Sequence, residues 1–183
     1  MMLSDSKAAI MDLQPILQND LVLLRPLQPS DFDALYAIAS DPLIWTQHPN
    51  NDRHQQDVFR TFFSDAIASG GALVVIDKVT DRIIGSSRFK RVLRDRTAVE
   101  IGWTFLSRDY WGGVYNRAVK HLMLDHAFRT MERVIFHIGN TNIRSQRAVE
   151  KIGGVRITES EYPLLIKGGD NCTYLIRRTD WKH

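Results

Sequence analysis

The stretch that most constrains this chain is Arg108–Met131, RDYWGGVYNRAVKHLMLDHAFRTM. A strand-like run, Ala98–Leu106, feeds it, and Trp111-Gly112-Gly113 makes a short turn. From about Asn116 the chain reads as a helix. Arg117, His121, Asp125 and Arg129 recur at i+4 and form one polar stripe. Ala118, Val119, Leu122, Met123, Leu124, Ala127, Phe128 and Met131 make nearly all the rest apolar, so most of the circumference must be buried. A strand, a glycine turn and a buried helix in succession aim free backbone N–H groups and a positive helix dipole at one point. That point suits an anion, and phosphate best. An ordinary strand-to-helix turn, its glycines relieving crowding, fits the same pattern.

The rest of the chain has room for one well-buried domain and not comfortably for two, at 183 residues. Met1–Asp20 has weak periodicity and reads as a loosely structured lead-in to a single domain over 21–183. Hydrophobic residues are 44% and charged residues 25%, ordinary for a globular protein. The net charge of +3 fits a polyanionic cofactor as well as RNA and does not choose between them. Cys172 is the only cysteine, which excludes an internal disulfide and fits a reducing compartment. No basic n-region with an apolar h-region opens the chain, and no apolar run approaches a membrane span. The expectation is a cytoplasmic protein without a membrane partner, a monomer or homodimer.

The elements follow from periodicity and punctuation. Leu21–Arg25 is a first strand closed by Pro26, and Ser30 with Asp33 resembles a capping box ahead of a helix carrying Phe32, Leu35, Tyr36 and Ala39. Asp41–Arg53 is a polar loop. Gln55–Ser69 is a second helix, stopped by Gly70-Gly71. Ala72–Ile76 and Arg82–Phe89 form a hairpin, and Lys90–Arg96 a basic connector. In Ala98–Leu106, alternation places Val99, Ile101, Trp103 and Phe105 on one face and Glu100, Gly102 and Thr104 on the other. Val134–Ile138 is a doubly covered central strand, apolar apart from His137. Asn142–Ile152 is a helix, and Val155–Tyr162 and Thr173–Arg177 are strands around a Lys167-Gly168-Gly169-Asp170 turn. Hairpins with one strand–helix–strand unit make an α+β fold with a mixed sheet.

Tyr110-Trp111-Gly112-Gly113-Val114-Tyr115-Asn116 before an apolar helix resembles the acyl-CoA loop of the GNAT N-acetyltransferase superfamily. It resembles in particular the branch of the ribosomal-protein alanine N-acetyltransferases, where Trp-Gly-x-Gly-x-Ala wraps the cofactor pyrophosphate. Trp111 and Gly112 match, while Val114 stands at the second Gly and Asn116 at the Ala. A second stretch, Asn142-Ile143-Arg144-Ser145 leading to Glu150-Lys151-Ile152-Gly153, is similar to the family's Asn-x-x-Ala/Ser and Tyr-Glu-Lys-x-Gly-Phe. Here Val149 replaces the Tyr and Gly154 the Phe. The order of elements also resembles the family's over most of the chain. The resemblance implies a GNAT-like mixed, mostly antiparallel sheet flanked by helices, with the cofactor cleft between two splayed central strands. It implies acetyl-CoA as co-substrate, held by Trp103, Thr104, Phe105, Trp111, Gly112, Gly113, Val114, Tyr115, Asn116, Arg117 and Asn142.

The chemistry implied is transfer of an acetyl group to a primary amine, a peptide N-terminus or a small molecule, in a ternary complex. Such a transfer needs a group to take the amine's proton. Glu100, on the strand just ahead of the loop, is the first candidate, and His137 on the following strand the second. Each could instead be a satisfied structural residue. Ser145 is the fallback acid for the leaving thiolate in place of the missing Tyr, and Asn142 could be no more than a helix cap. Trp45 and His48 could line the amine pocket. A non-catalytic acyl-CoA-binding module is the alternative, because the Tyr and one loop Gly are absent. Other chemistries lack their signatures. There is no GxxxxGK(S/T), GxGxxG or GxSxG, and His121 and His126 do not share a helix face for a metal. The Lys90–Arg96 run has no interleaved aromatics, so nucleic acid is not expected.

Overall fold

The computed structural model describes residues 10–166 and 168–182. One sheet of eight strands organises them, in the order β1 (Leu17–Gln18), β2 (Val22–Pro26), β3 (Ala72–Asp77), β4 (Arg82–Arg91), β5 (Ala98–Leu106), β6 (Arg133–Gly139), β8 (Asn171–Arg177), β7 (Val155–Ile157). Every neighbouring pair is antiparallel except β5 and β6, which are parallel because helix α3 (Tyr115–Ala127) connects them. The other helices are α1 (Phe32–Ala39), α2 (Gln56–Ala68) and α4 (Ile143–Glu150).

Two cores lie on opposite faces of the sheet. On one, Val119, Met123, Leu124 and Ala127 of α3 meet Val75, Phe89, Val99, Ile101 and Val134, with Val149 of α4 joining them. On the other, Leu35, Ala39, Phe59 and Phe63 of α1 and α2 meet Val74 and Phe105. Farther along that second face the loop after β7 brings Leu165 onto Ile135 and Leu175. Burial of this apolar surface, at about 25 cal/mol per Å², is what holds α3 flat against the sheet.

Four local expectations are corrected. The capping acid near α1 is Asp31, not Asp33. Asp31 accepts from the Gln28 amide at 2.8 Å and from both Arg25 guanidinium nitrogens at 2.8 and 2.7 Å, a forked pair that a residue on β2 can reach. Of the expected lead-in, residues 1–9 lie outside the described residues, while 10–20 are packed: Met11 is 2% exposed inside the α3-side core, and Leu17–Gln18 pair with β2. Strand β7 stops at Ile157, where turns replace the expected continuation to Tyr162. The Lys167 part of the last turn lies outside the described residues, while Gly168 and Gly169 take φ of +74° and +72°.

The fourth correction bears on the site. Strict alternation in β5 breaks at Trp103, which has φ of +53°. Arg88 pairs with Gly102 but Ser86 with Phe105, so β5 holds extra chain at that point. The bulge returns Phe105 to the α1/α2 face, opposite to Val99 and Ile101.

Candidate active site

Strands β5 and β6 stay together only over Ala98↔Arg133, Val99↔Val134 and Glu100↔Ile135. Beyond Glu100 they part, and the edge of residues 101–106 facing β6 is left with no strand partner. A cleft of about 1080 Å³ opens there, bounded by β5, β6, the starts of α3 and α4 and the loop between α1 and α2. Sites for small molecules usually span about 300–1,000 Å³, so this one has room for an extended cofactor beside a second substrate.

At one mouth stands the start of α3. Val114 occupies the N-cap position and offers no capping oxygen. Ala118 is the first amide of the helix to find an acceptor, Val114 O at 2.8 Å, so among the described residues the amides of 112–117 have none. Gly112 has φ of +70°, a conformation costly to any residue with a Cβ. The loop is anchored from its flanks: Trp111 Nε1 donates to Leu106 O at 3.0 Å, and the Tyr110 and Tyr115 hydroxyls reach Asp77 at 3.0 and 3.3 Å. The Arg144 guanidinium stacks 3.9 Å over the Trp111 ring and donates to Ile44 O at 2.9 Å, tying α4 to the loop after α1.

At the point of divergence, His137 Nδ1 lies 3.0 Å from Glu100 Oε1, and both side chains are about nine-tenths buried. His137 Nε2 lies 3.0 Å from the Leu165 carbonyl. A carbonyl only accepts, so Nε2 carries the hydrogen and Nδ1 is the atom turned to the carboxylate. The Nδ1 contact is close in distance but not aligned as a hydrogen bond. It is attractive when one proton lies between the two groups. Ser145 is half-buried on the cleft side of α4, and its hydroxyl has no hydrogen-bond partner among the described residues. Asn142 does cap α4, its carbonyl accepting from the Ser145 amide at 3.2 Å, and it lines the cleft as well.

The second mouth lies on the α1/α2 face. Trp45 is a core residue, its Nε1 donating to Ala39 O at 2.7 Å, and one edge of its ring reaches the cleft. His48 is pulled down to about 4, first by burial and then by the charges of Arg53 and Arg144, so it is neutral at physiological pH.

Thus Glu100, His137, Ser145, Asn142, Trp45, His48, Trp103, Thr104, Phe105, Trp111, Gly112, Gly113, Asn116 and Arg117 all line one cleft. Val114 and Tyr115 do not: Val114 faces solvent and Tyr115 turns to Asp77, so their part in an anion site is through main-chain amides. Lys120, Arg53 and Arg88, cations in or beside the cleft, were not singled out by sequence reasoning. Lys120 is 6% exposed on the apolar side of α3, with Nζ 2.5 Å from Thr104 Oγ1, and Arg53 and Arg88 meet at the second mouth. The signal for Lys120 was present: it shares a face with Met123 and Leu124 rather than with the polar stripe. Among the described residues no cluster of His, Cys, Asp or Glu could hold a metal ion, and no helix is long and apolar enough to cross a membrane.

The family model described as acetyltransferase (GNAT) domain matches residues 22–155. No curated protein matches the chain in sequence. Among solved structures, a GCN5-related N-acetyltransferase from Brucella melitensis superposes with a TM-score of 0.75 at 20% identity, over 92% of this chain and 80% of that one. RimJ of Mycobacterium smegmatis, in complex with CoA-disulfide, gives 0.65 at 17% identity, covering 89% of this chain and 86% of its own. Spermidine N-acetyltransferase from Vibrio cholerae, in complex with CoA and spermine, gives 0.65 at 16% identity, over 88% and 98%. At these identities the likeness is one of fold.

Proposed function

Because the chain belongs to the GNAT acetyltransferase family, we propose that it moves an acetyl group from acetyl-CoA to a primary amine. Attack is direct, within a ternary complex, and no covalent enzyme intermediate forms. The observation that carries this reading is the joint placement of Glu100 and His137 where β5 and β6 part, in the same cleft as the uncapped amides of α3.

Acetyl-CoA supplies an acyl group already activated as a thioester. The amides of 112–117 and the positive end of α3 hold its pyrophosphate, with Arg117 adding charge. The unpaired edge of β5 at Trp103, Thr104 and Phe105 offers main-chain groups to the amide-bearing arm, and Asn142 flanks it from α4. Trp45 and His48 line the amine side. An amine attacks only as the free base, so its proton must leave; Glu100 takes it, and His137 Nδ1 at 3.0 Å shares it. The Leu165 carbonyl keeps the imidazole in the orientation this requires. Ser145 offers its hydroxyl hydrogen to the departing sulfur. A thiol is acidic enough that a weak donor suffices.

The loop's resemblance to the ribosomal-protein alanine N-acetyltransferase branch keeps a protein N-terminus among the acceptors, beside small-molecule amines. The described residues, β1 and Met11 included, act as one acetyltransferase domain. Cys172, single and buried, fits the reducing cytoplasm. The test is thiol release from acetyl-CoA across a panel of amines, with acetyl-CoA affinity measured by calorimetry. Amine-dependent release is expected. Tight acetyl-CoA binding with no release for any amine class would replace the enzyme by a non-catalytic acyl-CoA-binding module.

A further inference from the structure

Arg88 leaves β4 toward the α2 face and is 6% exposed, yet its Nε and Nη2 have no hydrogen-bond partner. Its guanidinium carbon lies 4.8 Å from the Trp103 ring centroid and 5.6 Å from that of Phe62. Arg53, from the loop before α2, sits 4.4 Å over Phe62 and 5.5 Å over Trp45. Its polar contacts are modest, 3.2 Å to His48 Nε2 and 3.4 Å to Asn50 Oδ1. Both arginines line a side pocket of about 340 Å³ that shares Asn50, Arg53 and Trp103 with the main cleft. Burial, with the repulsion of Arg88 added, pulls Arg53 down to about 10.

Acidic residues do stand nearby. Asp65, and after it Glu100, act on Arg88 through space and Asp52 acts on Arg53, but among the described residues no carboxylate forms an ion pair within 4.0 Å of either guanidinium. The Nε and Nη2 of Arg88, removed from water without an acceptor, are costly to bury, and an incoming anion removes that cost. The backbone points the same way. Trp103 holds φ of +53°, unfavourable for an aromatic residue, and this bulge sets its ring against Arg88.

Resting on the acetyltransferase reading above, we infer that Arg88 and Arg53 bind a carboxylate carried by the acceptor, so that the acceptor is a small amino-acid-like amine. Arg88 is in register with Gly102, two residues from Glu100. At about 3.3 Å per residue of strand, Arg88 is offset from Glu100 by only about 7 Å along β5, so the arginine pocket and the base serve neighbouring parts of one bound molecule. A polyamine would instead set a second ammonium against two guanidiniums. A peptide N-terminus brings no carboxylate at a fixed distance from its amine.

The experiment compares free amino acids with their carboxamides, measuring thiol release from acetyl-CoA and, in parallel, calorimetric binding in the presence of CoA. Acids are expected to show kcat/KM at least tenfold above their amides. Arg88→Met should collapse that ratio, Arg88→Lys should restore part of it, and Arg53→Met should narrow it independently. Acetyl-CoA affinity reports that each variant is folded. Equal rates for acids and amides in the wild type, or a loss shared equally by both in Arg88→Met, would overturn the assignment. A preference that appears only with succinyl-CoA in place of acetyl-CoA, using amide acceptors, would give the carboxylate to the acyl donor and overturn it likewise. If no amine releases thiol but acids still bind over amides in an Arg88-dependent way, the anion pocket stands and the enzyme reading falls.

Discussion

His137 Nδ1 on β6 and Glu100 Oε1 on β5 stand 3.0 Å apart at the last point where the two strands run together. One residue earlier the strands are bridged by main-chain hydrogen bonds, and beyond it they enclose the cleft. A carboxylate and an imidazole there face the cleft while the sheet behind them stays dry, which is where a proton acceptor gains most from its partner.

The pair should therefore act as a unit. Glu100→Gln is expected to lower kcat/KM by about 10²–10⁴-fold, the usual worth of a general base, and His137→Ala by less. The double variant should lose much less than the product of the two single losses, because residues in contact couple by roughly 0.5–3 kcal/mol. Steady-state thiol release for the four proteins of the cycle decides it. Strictly multiplicative losses would mean that His137 only fills space.

Gly113→Pro should weaken acetyl-CoA binding by about 1–3 kcal/mol, the range for a hydrogen bond to a charged group left unmade. Proline removes one of the amides at the start of α3. Gly113→Ala is the control: an added Cβ at 113 meets nothing within 4 Å, so affinity should hold. Calorimetry on both variants separates the lost donor from mere crowding, and a proline variant that binds like wild type removes the 113 amide from the phosphate site.

Much of the fold was legible because it repeats. Strand β5 runs over Ala98–Leu106 as its apolar pattern indicates, and α3 starts at Tyr115, one residue from its expected start. Glu100, His137 and Ser145 gathered into one cleft because they lie on elements with strong periodicity, β5, β6 and α4. What escaped depends on contacts distant in sequence. Nothing around Leu17 announces that it will pair with Leu24 of β2. A positive φ at an aromatic residue leaves no trace in composition, so the bulge at Trp103 was invisible, and with it the reversal of Phe105. Arg53 sits in a loop read only as polar, and Arg88 in a hairpin strand whose two faces could not be told apart. Their meeting over Phe62 is a tertiary event.

Ser145→Ala should lower kcat about tenfold to a hundredfold with little change in acetyl-CoA affinity, if the hydroxyl acts mainly as the sulfur departs. One hydrogen bond is worth on the order of 1 kcal/mol, and more to a charged partner. The hydroxyl has no partner within the described residues, so its removal should not perturb α4. A fall in affinity with kcat unchanged would make Ser145 a ground-state contact and leave the thiolate to depart unaided.

Lys120 gives a prediction in stability rather than turnover. Its Nζ donates to Thr104 Oγ1, which lies 2.7 Å from Ser87 Oγ, and it sits 5.7 Å from the Phe136 ring centroid. Burial pulls its ammonium from an ordinary 10.5 down to about 7. Between those two values the unfolded chain holds a proton that the folded chain has shed, so stability rises with pH across that window. Below it both states are protonated and the full penalty applies; above it both are neutral and the penalty is gone. At about 1.36 kcal/mol per pH unit, the full penalty is of order 3–5 kcal/mol. Lys120→Met keeps the apolar stem without the charge, and loses only the bond to Thr104. The variant should therefore unfold at higher urea than wild type at pH 6, with the gap closing steadily as pH rises toward 10. Urea midpoints for the two proteins across that range are the measurement. A gap that does not change with pH, or a variant less stable than wild type at pH 6, would mean that the ammonium stays charged in the fold and is compensated there.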